Sequence, residues 1–267
     1  MNTSSPIAIV TGGSRGLGRS TVLSLAKRGV DSIFTYNSNR SEAEKVVGLT
    51  RDAGAQAIPL QLDTGNVQTF DGFVGKVREA LGRLGAERFD YLVNNAGISN
   101  HTPFAKVTED ELDTLYAVNF KGAFFLTQKL LGLIKDGGQI VNISSGVTRF
   151  VNPDSVAYAT LKGAVEVFTK YLAHELGPRN INVNTVAPGA MQTDFSGGVV
   201  RDNPAVNKLV ASITALGRPG LAEDIGEMVA SLLSDANHWV NAQRIEVSGG
   251  MLIAVPLSAS NFSHTAP

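Results

Sequence analysis

The architecture of this chain is indicated most clearly by Ile7-Ala-Ile-Val-Thr-Gly-Gly-Ser-Arg-Gly-Leu-Gly18. Its first four residues are apolar and predict a short buried strand, and the glycines that follow predict a turn into a helix. Gly12, Gly16 and Gly18 have no Cβ atom, so the backbone can approach a pyrophosphate at the positive end of that helix. The spacing is Gly-x-x-x-Gly-x-Gly rather than Gly-x-Gly-x-x-Gly. A strand, a glycine-rich turn and a helix in this order predict a dinucleotide-binding unit.

Strand and helix patterns alternate along the rest of the chain. Short runs rich in Ile, Val and Leu predict strands at Ile7–Val10, Ile33–Tyr36, Ala57–Leu62, Tyr91–Val93, Gln139–Ile143, Ile181–Val186 and Ile245–Val247. Longer periodic segments predict helices at Gly16–Arg28, Ser41–Ala53, Asn66–Leu81, Glu109–Ile134, Val156–Leu176 and Glu223–Leu233. Two of these helices have the start of a capping box, at Ser41 and at Thr108. The alternation predicts an α/β fold, a Rossmann-type doubly wound parallel β-sheet of about seven strands with helices on both faces, in a single domain over residues 1–267.

Tyr158 and Lys162 are four residues apart in a segment predicted to be helical. This spacing places the lysine ammonium beside the tyrosine hydroxyl on one face of the helix. Lowering the pKa of a tyrosine from about 10 to about 7 requires about 4 kcal/mol, and a neighbouring cation can supply much of it. Such a pair is also common in amphipathic helices. Its catalytic interpretation therefore depends on motifs elsewhere in the chain.

Composition excludes several classes of function. The 23 basic and 24 acidic residues give a net charge of −1, so no global field favours nucleic acid or an anionic membrane surface. The absence of cysteine excludes disulfides, thiolate metal sites and thiol nucleophiles, and the four histidines have no metal-ligand spacing. No apolar stretch reaches the roughly 20 residues that cross a bilayer, and no secretory leader is visible. We therefore expect a cytoplasmic protein with a small-molecule substrate and with no metal, nucleic-acid or membrane partner.

Further motifs follow the glycine-rich turn in a fixed order. They are Asp63 after the third strand, Asn94-Asn-Ala-Gly97 after the fourth, Asn119, Asn142-Ile-Ser-Ser145, Tyr158-Ala-Thr-Leu-Lys162 and Pro188-Gly-Ala-Met-Gln-Thr193. With these motifs the chain resembles the short-chain dehydrogenase/reductase family over roughly Ile7 to Met251. The resemblance implies an oxidoreductase that transfers hydride between a nicotinamide cofactor and a carbonyl or secondary alcohol.

The resemblance implies a catalytic role for four residues. Tyr158 would be the general acid or base, and Lys162 would lower its pKa and hold the nicotinamide ribose. Ser145 would hydrogen-bond the substrate oxygen, with Ser144 facing the opposite side of the strand. Asn119 would bend its helix and hold a water that links Lys162 to solvent.

The resemblance also implies a set of cofactor contacts. NAD-specific relatives usually end the second strand with an acid, but this chain has Tyr36, Asn37 and Ser38 there. Arg15 and Arg40 are placed to bind a 2′-phosphate, so NADP(H) is the expected cofactor and NAD the alternative. The remaining expected contacts, with Tyr158 and Lys162, are Gly12, Ser14, Gly16, Leu17 and Gly18 at the pyrophosphate, Asp63 and Thr64 at the adenine, Asn95, Ala96 and Gly97 at the ribose, and Pro188, Gly189 and Thr193 at the nicotinamide.

The substrate stays open at this point, because one fold and one set of catalytic residues serve many substrates. One alternative is a 3-oxoacyl-[acyl-carrier-protein] reductase, for which Arg179 is the candidate contact with an acidic carrier. A remote alternative is a dinucleotide-sensing scaffold without catalysis. The candidate pocket residues are mostly apolar and favour a hydrophobic or neutral substrate; they are Val147, Phe150, Val151, Met191, Phe195 and Val199.

Two segments and two helices carry the remaining expectations. We expect a substrate loop near residues 190–215 and a C-terminal tail at residues 252–267. The long helices after the fourth and fifth strands carry enough apolar residues to cover both the sheet and a second subunit. We therefore expect a homotetramer or a homodimer formed through these helices.

Overall fold

The computed structural model describes residues 5–253, and a parallel sheet of seven strands lies at its centre. The strands are β1 (Ile7–Val10), β2 (Asp31–Tyr36), β3 (Ala57–Gln61), β4 (Phe89–Asn94), β5 (Ile134–Ile143), β6 (Asn182–Pro188) and β7 (Arg244–Val247). Their order is β3-β2-β1-β4-β5-β6-β7, and every neighbouring pair is parallel. The order reverses between β1 and β4, and the carboxyl ends of strands at such a reversal are the usual place for a ligand in an open α/β sheet.

Helices cover both faces of this sheet. They are α1 (Gly16–Ala26), α2 (Arg40–Asp52), α3 (Phe70–Arg83), α4 (Glu109–Tyr116), α5 (Gly122–Leu130), α6 (Val156–Leu176), α7 (Val199–Asp202), α8 (Pro204–Ser212) and α9 (Ala222–Leu232). One core cluster contains residues of α1, α2 and α9, and the other contains residues of α3, α5 and α6. The doubly wound α/β fold predicted from the sequence is confirmed.

Alternating residues of one strand belong to the two different cores. In β1, Ile7 and Ile9 pack with the helices on one face, whereas Ala8 and Val10 pack with the helices on the other. All four side chains are at most 1% exposed. A parallel sheet is stable only when both faces are buried in this way, because apolar burial is the main stabilising term.

The predicted helix Glu109–Ile134 is wrong in two respects. A π-helical turn at Ala117–Lys121 separates α4 from α5, and the chain leaves the helix before Ile134, which begins β5. Leu133 and Ile134 are 3% and 1% exposed and belong to the core. These two residues would be buried whether the segment formed a helix or a strand. The apolar pattern therefore does not show where the helix ends and β5 begins.

One of the two predicted capping boxes is also wrong. Thr108 Oγ1 accepts a hydrogen bond from the backbone N of Glu111 at 3.2 Å, as expected for the start of α4. The N-cap of α2 is Asn39 rather than Ser41, and Asn39 Oδ1 accepts from the backbone N of Glu42 at 3.2 Å. Asn caps a helix about as well as Ser, so residue type alone did not separate the two positions.

The expected substrate loop contains helical turns. A 3₁₀ turn at Phe195–Gly198 leads into α7, and the side chain of Asn203 caps α8. The expected substrate loop near residues 190–215 is therefore largely helical. Of the expected C-terminal tail, residues 254–267 lie outside the described residues.

Within residues 5–253, none of the helices combines the length and the hydropathy needed to cross a membrane. Over the same residues, no three His, Asp or Glu side chains are grouped as metal ligands would be.

Candidate active site

The predicted site residues lie where β1, β4, β5 and β6 end. Parallel strands have their carboxyl ends at one edge of the sheet, so the loops that follow them meet there. The glycine-rich turn follows β1, Asn95 to Gly97 follow β4, Ser145 follows β5, and Gly189 to Thr193 follow β6. Tyr158 and Lys162 lie on α6, which comes after β5.

The glycine-rich turn forms a cradle that side chains would fill. Gly12 and Gly16 have φ angles of +66° and +53°, which side-chain-bearing residues rarely adopt. A Cβ atom at Gly18 would lie 2.2 Å from the carbonyl oxygen of Gly12. The N-cap residue of α1, Arg15, makes no side-chain capping bond, so backbone N–H groups of the first turn can bind an anion. These residues fit the pyrophosphate of a dinucleotide.

Hydrogen bonds connect the glycine-rich turn to the loop after β4. Thr11 Oγ1 accepts hydrogen bonds from the backbone N of Asn95 and of Ala96, at 2.9 and 3.0 Å. The side-chain amide of Asn95 donates to the carbonyl oxygens of Thr11 and Gly12, at 2.8 and 3.2 Å. Asn95 was predicted to line the ribose, but its amide holds the two loops together.

Two predicted cofactor contacts have side chains that face the protein. Leu17 packs against the core cluster that contains α1 and α2, and Ser14 is 9% exposed. Leu17 could therefore contact a cofactor only through its backbone. The sequence does not show that the side chains of Ser14 and Leu17 face the protein, because it gives only their positions within the glycine-rich turn.

Tyr158 and Lys162 are both buried on α6. They are 8% and 3% exposed, and the Lys162 Nζ atom lies 5.6 Å from the centre of the Tyr158 ring. Lys162 Nζ donates to the carbonyl oxygen of Ile143 at 2.9 Å, which fixes the side chain against the end of β5. The helical spacing thus brings the two groups together, as the sequence predicts.

Burial dominates the ionisation of both groups. It raises the pKa of Tyr158 to about 12, and the Ser145 hydroxyl, close enough to donate to a phenolate, partly opposes this rise. It lowers the pKa of Lys162 to about 8. The direction for Tyr158 is opposite to the expected pKa near 7. The reason is that the phenol and the ammonium are both removed from water, which disfavours both charged forms.

Ser144 and Ser145 point in different directions, as strand alternation predicts. The Ser144 hydroxyl donates to Glu166 Oε1 at 2.8 Å and lies 3.3 Å from the carbonyl oxygen of Lys162, so it faces α6. Ser145 is half-buried, and its Oγ accepts from the backbone N of Val147 at 3.4 Å. Ser145 is the serine that reaches Tyr158.

Asn119 lies in the π-helical turn and is 2% exposed. Its side-chain amide donates to the carbonyl oxygens of Ile98 and Leu115, at 2.9 and 3.1 Å. A Cβ atom at Gly97 would lie 2.8 Å from Asn119 Oδ1 and 3.4 Å from Lys162 Nζ. Glycine at position 97 therefore keeps the space between the asparagine and the lysine open.

At the far end of the site, the residues after β2 and β3 differ in exposure. Tyr36 is 9% exposed and packs in the core, whereas Asn37 and Ser38 are exposed. Asp63 is exposed and its Oδ1 accepts from the backbone N of Gly65 at 2.9 Å, and Thr64 is half-buried. The polar groups available to a nucleotide here are those of Asn37, Ser38 and Asp63 rather than the ring of Tyr36.

The side chains of the two predicted phosphate-binding arginines differ in their polar contacts. Arg15 is exposed, and its side chain makes no hydrogen bond or ion pair with another residue of the range 5–253. Arg40, at the start of α2, is 78% exposed and its Nε lies 3.4 Å from Glu44 Oε1. An exposed pair of this kind contributes little free energy, so Arg40 can exchange Glu44 for a phosphate.

The loop after β6 approaches both the glycine-rich turn and Tyr158. Gly189 donates its backbone N–H to the carbonyl oxygen of Val247 at 3.1 Å, which continues the pairing of Pro188. Thr193 is 7% exposed, and a Cβ atom at Gly16 would lie 3.6 Å from the Thr193 Cβ. Thr193 therefore lies next to Gly16, in the turn that begins α1.

The apolar residues expected in the substrate pocket divide into two groups. The Phe195 ring lies 6.1 Å from the Tyr158 ring, and Phe150 packs beside Gly146, next to Ser145. Met191 instead packs against the core and against Gly220. Val151 is 90% exposed. Phe195 and Phe150 are thus the better-placed members of the set.

Sequence reasoning missed several residues that shape the site. Glu166 and Arg244 make polar contacts that hold the loops, and neither belongs to a motif that was identified. Thr11 lies in the glycine-rich motif, but no contact of its hydroxyl with the loop after β4 was predicted. Glu166 follows Lys162 by one helical turn, and this spacing is the one signal that could have drawn attention to it. Arg179 was expected near the mouth of the site. It donates instead to the carbonyl oxygen of Ile134, at the amino end of β5 and so at the opposite edge of the sheet.

Known proteins that are similar to this chain are described as reductases. A family model described as enoyl-(acyl carrier protein) reductase matches residues 12–252. Versicolorin reductase from Emericella nidulans is 33% identical over 254 residues, which cover 91% of this chain and 94% of the relative. The promiscuous reductase LugOII, which catalyses keto-reduction at C1 during lugdunomycin biosynthesis, is 37% identical with a TM-score of 0.87, over 95% of this chain and 100% of that one.

A second solved structure adds a bound nucleotide. The angucycline C-6 ketoreductase LanV, solved with bound NADP, is 33% identical with a TM-score of 0.86, over 93% of this chain and 96% of that one. The family model and the versicolorin reductase each cover nearly all of the described chain. From the fold, the geometry of the site and these similarities, the chain belongs to the short-chain dehydrogenase/reductase family of oxidoreductases.

Proposed function

We propose that this protein is an NADPH-dependent ketone reductase in which Tyr158 is the general acid. The observation that carries the proposal is the buried cluster of Tyr158, Lys162 and Ser145 at the carboxyl edge of the sheet, beside a glycine cradle that fits a dinucleotide. A pKa of about 12 keeps the phenol protonated at neutral pH, which suits reduction more than oxidation. Residues 1–267 would form one catalytic domain.

Each member of the cluster has a task that its position supports. The Ser145 hydroxyl donates a hydrogen bond to the substrate oxygen and stabilises the charge that develops there. Tyr158 gives its proton to that oxygen, and Lys162, with a pKa lowered to about 8, can return a proton to the site. Asn119, next to Gly97 and Lys162, can hold a water that connects the lysine to solvent. The nicotinamide cofactor, when bound, supplies the hydride.

A Tyr158→Phe variant tests the general-acid role. Loss of a general acid reduces turnover by roughly 10² to 10⁴. Because the ring and Lys162 remain, the affinity for NADPH should stay close to that of the wild type. Turnover is measured by absorbance of NADPH with a panel of ketones, and affinity by fluorescence titration. A variant that keeps more than about a tenth of the wild-type kcat, where the loss of a general acid predicts far less, would show that Tyr158 has another role.

The preference for NADPH over NADH is assigned to Arg15 and Arg40. Both are exposed, Arg40 shortly after β2 and Arg15 in the turn after β1, which is joined to β2 by the bond from Gly13 N to the Thr35 carbonyl oxygen. No acidic residue follows β2 directly to repel a 2′-phosphate. LanV, which is similar over most of its length, was solved with bound NADP. A hydrogen bond to a charged group contributes about 1.5 to 3 kcal/mol, so Arg15→Ala with Arg40→Ala should weaken NADPH binding and hardly affect NADH.

Arg51→Ala is the matched control for this experiment, because Arg51 is exposed in the last turn of the same helix, away from its start. The control should bind NADPH like the wild type. An equal loss of affinity for both cofactors in the double variant, or a wild-type preference for NADH, would exclude the phosphate-binding role.

For the substrate we propose a ketone on a fused aromatic ring system. LugOII, LanV and versicolorin reductase are all described as reductases, and two of the three descriptions name keto-reduction or a ketoreductase. In this chain the Phe195 ring lies 6.1 Å from the Tyr158 ring, and Phe150 lies beside Gly146. Aromatic side chains near Tyr158 and beside Gly146 suit a flat apolar substrate. A panel of monocyclic and tricyclic ketones decides between this class and small ketones.

The alternative of an acyl-carrier-protein reductase has less support from the site. The description of the matching family model names an acyl carrier protein. However, Arg179, the cation expected to meet an acidic carrier, is bound to Asp136 and lies at the edge of the sheet opposite Tyr158. A 3-oxoacyl thioester belongs in the same ketone panel, and a strong preference for it would establish the alternative.

For the assembly we propose a homotetramer, with a homodimer as second choice. Val167 and Tyr171 on α6 are 54% and 70% exposed, and Phe125 on α5 is 36% exposed. These side chains face away from the core and form an apolar surface suited to a second copy of the chain.

A further inference from the structure

A polar cluster lies beside Ser145 and connects the end of β5 with α6 and β7. Its centre is Glu166 on α6, whose Oε1 accepts hydrogen bonds from the hydroxyls of Ser144 and Thr148, at 2.8 and 2.7 Å. The same oxygen lies 2.8 Å from Arg244 Nε, on β7. Glu166 therefore holds together three separate parts of the chain.

The cluster contacts the backbone of Ser145 and the backbone of Lys162. Thr148 Oγ1, which donates to Glu166, also lies 2.9 Å from the carbonyl oxygen of Ser145, and Arg244 Nη2 lies 3.4 Å from the same oxygen. On the other side, Ser144 Oγ lies 3.3 Å from the carbonyl oxygen of Lys162. Neutral and charged polar contacts through Glu166 thus connect the backbone of Ser145 with the backbone of Lys162.

Charge is balanced within the cluster, which explains how it can be half-buried. The side chains of Glu166 and Arg244 are 17% and 23% exposed. Arg244 also pairs with Glu246 at 3.1 Å, and Glu246 pairs with Arg149 at 2.6 Å. Two carboxylates and two guanidinium groups give no net charge. Bonds between charged groups in such a setting are strong and directional, so they define distances more firmly than apolar packing does.

We infer that Glu166 and Arg244 are positioning residues that set the distance from Ser145 to Tyr158 and Lys162. Ser145 comes from the end of β5, whereas Tyr158 and Lys162 come from α6, and their separation depends on how these elements are joined. Glu166 lies one helical turn after Lys162 and binds the residue before Ser145. This inference rests on the proposed function of Ser145, since Glu166 acts through it.

The expected result of Glu166→Ala is a kcat lower by about tenfold to a hundredfold, because a displacement of about 1 Å at a reacting group can cost a hundredfold. The affinity for NADPH, measured by fluorescence titration, should stay unchanged, since Glu166 is not part of the glycine cradle. Glu166→Gln keeps an oxygen that accepts from Ser144 and Thr148, so it should recover part of the lost kcat. It also serves as the second variant if Glu166→Ala fails to fold.

Lys135→Met is the matched control. Lys135 Nζ lies 2.8 Å from Asp90 Oδ1, with side chains 39% and 20% exposed, in an ion pair between neighbouring strands of the same sheet. This pair is near the amino end of β5, away from Ser145. Its loss should lower the melting temperature and leave kcat unchanged. If Lys135→Met and Glu166→Ala reduce kcat equally, Glu166 has only a structural role and the inference is wrong.

A double-variant cycle with Ser145→Ala separates the inference from the function on which it rests. If Glu166 acts by placing the Ser145 hydroxyl, adding Glu166→Ala to Ser145→Ala should cost little further turnover in single-turnover assays. Losses that multiply would overturn the inference. A fully active Ser145→Ala would contradict the proposed function itself. A fully active Glu166→Ala beside an impaired Ser145→Ala would contradict only the positioning role.

Discussion

At the scale of single residues, the site contains two ionisable groups in an environment that disfavours their charged forms. Tyr158 and Lys162 are buried, and burial moves their pKa values in opposite directions, to about 12 and about 8. The four-residue spacing explains why the groups meet. It does not explain their pKa values, which depend on how much of α6 the rest of the protein covers.

The lowered pKa of Lys162 predicts a pH dependence of stability. Between pH 8 and 10.5 the unfolded chain still holds a proton that the folded chain has released, so the free energy of unfolding rises with pH. Lys162→Met has no such group. The stability of the wild type relative to this variant should therefore increase over that range, by at most about 1.4 kcal/mol per pH unit.

Urea unfolding of both proteins at several pH values between 8 and 10.5 measures this difference. The other lysines titrate in both proteins, so they cancel. A difference in stability that stays constant with pH would show that Lys162 keeps an ordinary pKa in the folded protein.

At the scale of elements, the glycine-rich turn and α1 form one unit, and Gly18 determines how closely they pack. A Cβ atom at Gly18 would lie 2.2 Å from the Gly12 carbonyl oxygen and 2.5 Å from Asn95 Nδ2. Gly18→Ala should therefore displace the cradle, with lower stability and weaker NADPH binding. Fluorescence titration and thermal melting measure the two effects.

Gly72→Ala is the matched control for this prediction. Gly72 is also a helical glycine, on α3, and a Cβ atom there would meet no other atom within 4 Å. Alanine should stabilise the helix by about 0.5 to 1 kcal/mol and leave NADPH binding unchanged. If Gly18→Ala behaves like Gly72→Ala, the close approach of α1 to the turn is not needed for binding.

The contact of β7 with the loop after β5 predicts a second pH effect, in acid. Glu246 accepts from Arg149 first of all, and from Ser248 and Arg244, and these bonds lower its pKa to about 2 from 4.5. Its stabilising contribution is complete above pH 4.5 and is lost as pH falls towards 2. Glu246→Gln cannot show this loss. The stability of the wild type over the variant should shrink on acidification, as thermal melts between pH 2 and pH 6 would measure. An advantage that is independent of pH would contradict the prediction.

At the scale of the whole molecule, the exposed apolar face of α5 and α6 connects assembly with activity. Tyr171, 70% exposed on the helix that carries Tyr158, should be covered by a second copy of the chain in the proposed assembly. Tyr171→Glu would place a charge in that contact, so we expect dissociation to smaller species in light scattering and a lower kcat, because α6 loses its support.

Leu49→Glu is the control for this experiment. Leu49 is 39% exposed on α2, in the layer of helices on the opposite face of the sheet. This variant should assemble and react like the wild type. A wild-type protein that is a fully active monomer would exclude the proposed assembly.

Local patterns in the sequence were enough to predict the alternation of strands and helices, the glycine cradle and the placement of Tyr158 and Lys162 on one face of a helix. These features depend on local spacing, which is a property of the chain alone: a period of two or of 3.6, and a missing Cβ atom. Residues far apart in sequence entered the prediction only through the resemblance to a known family. The fold that this resemblance and the periodicity predict is the one observed.

Which side chains line the site and which pack in the core depends on the tertiary structure. Leu133 and Ile134 are apolar and buried either way, so the end of α5 could not be found from their pattern. Glu166 and Arg244 are 78 residues apart, and Arg179 lies at the far edge of the sheet, facts that no local spacing contains. The pKa values of Tyr158 and Lys162 are decided in the same way, because burial is the sum of contacts from many distant segments.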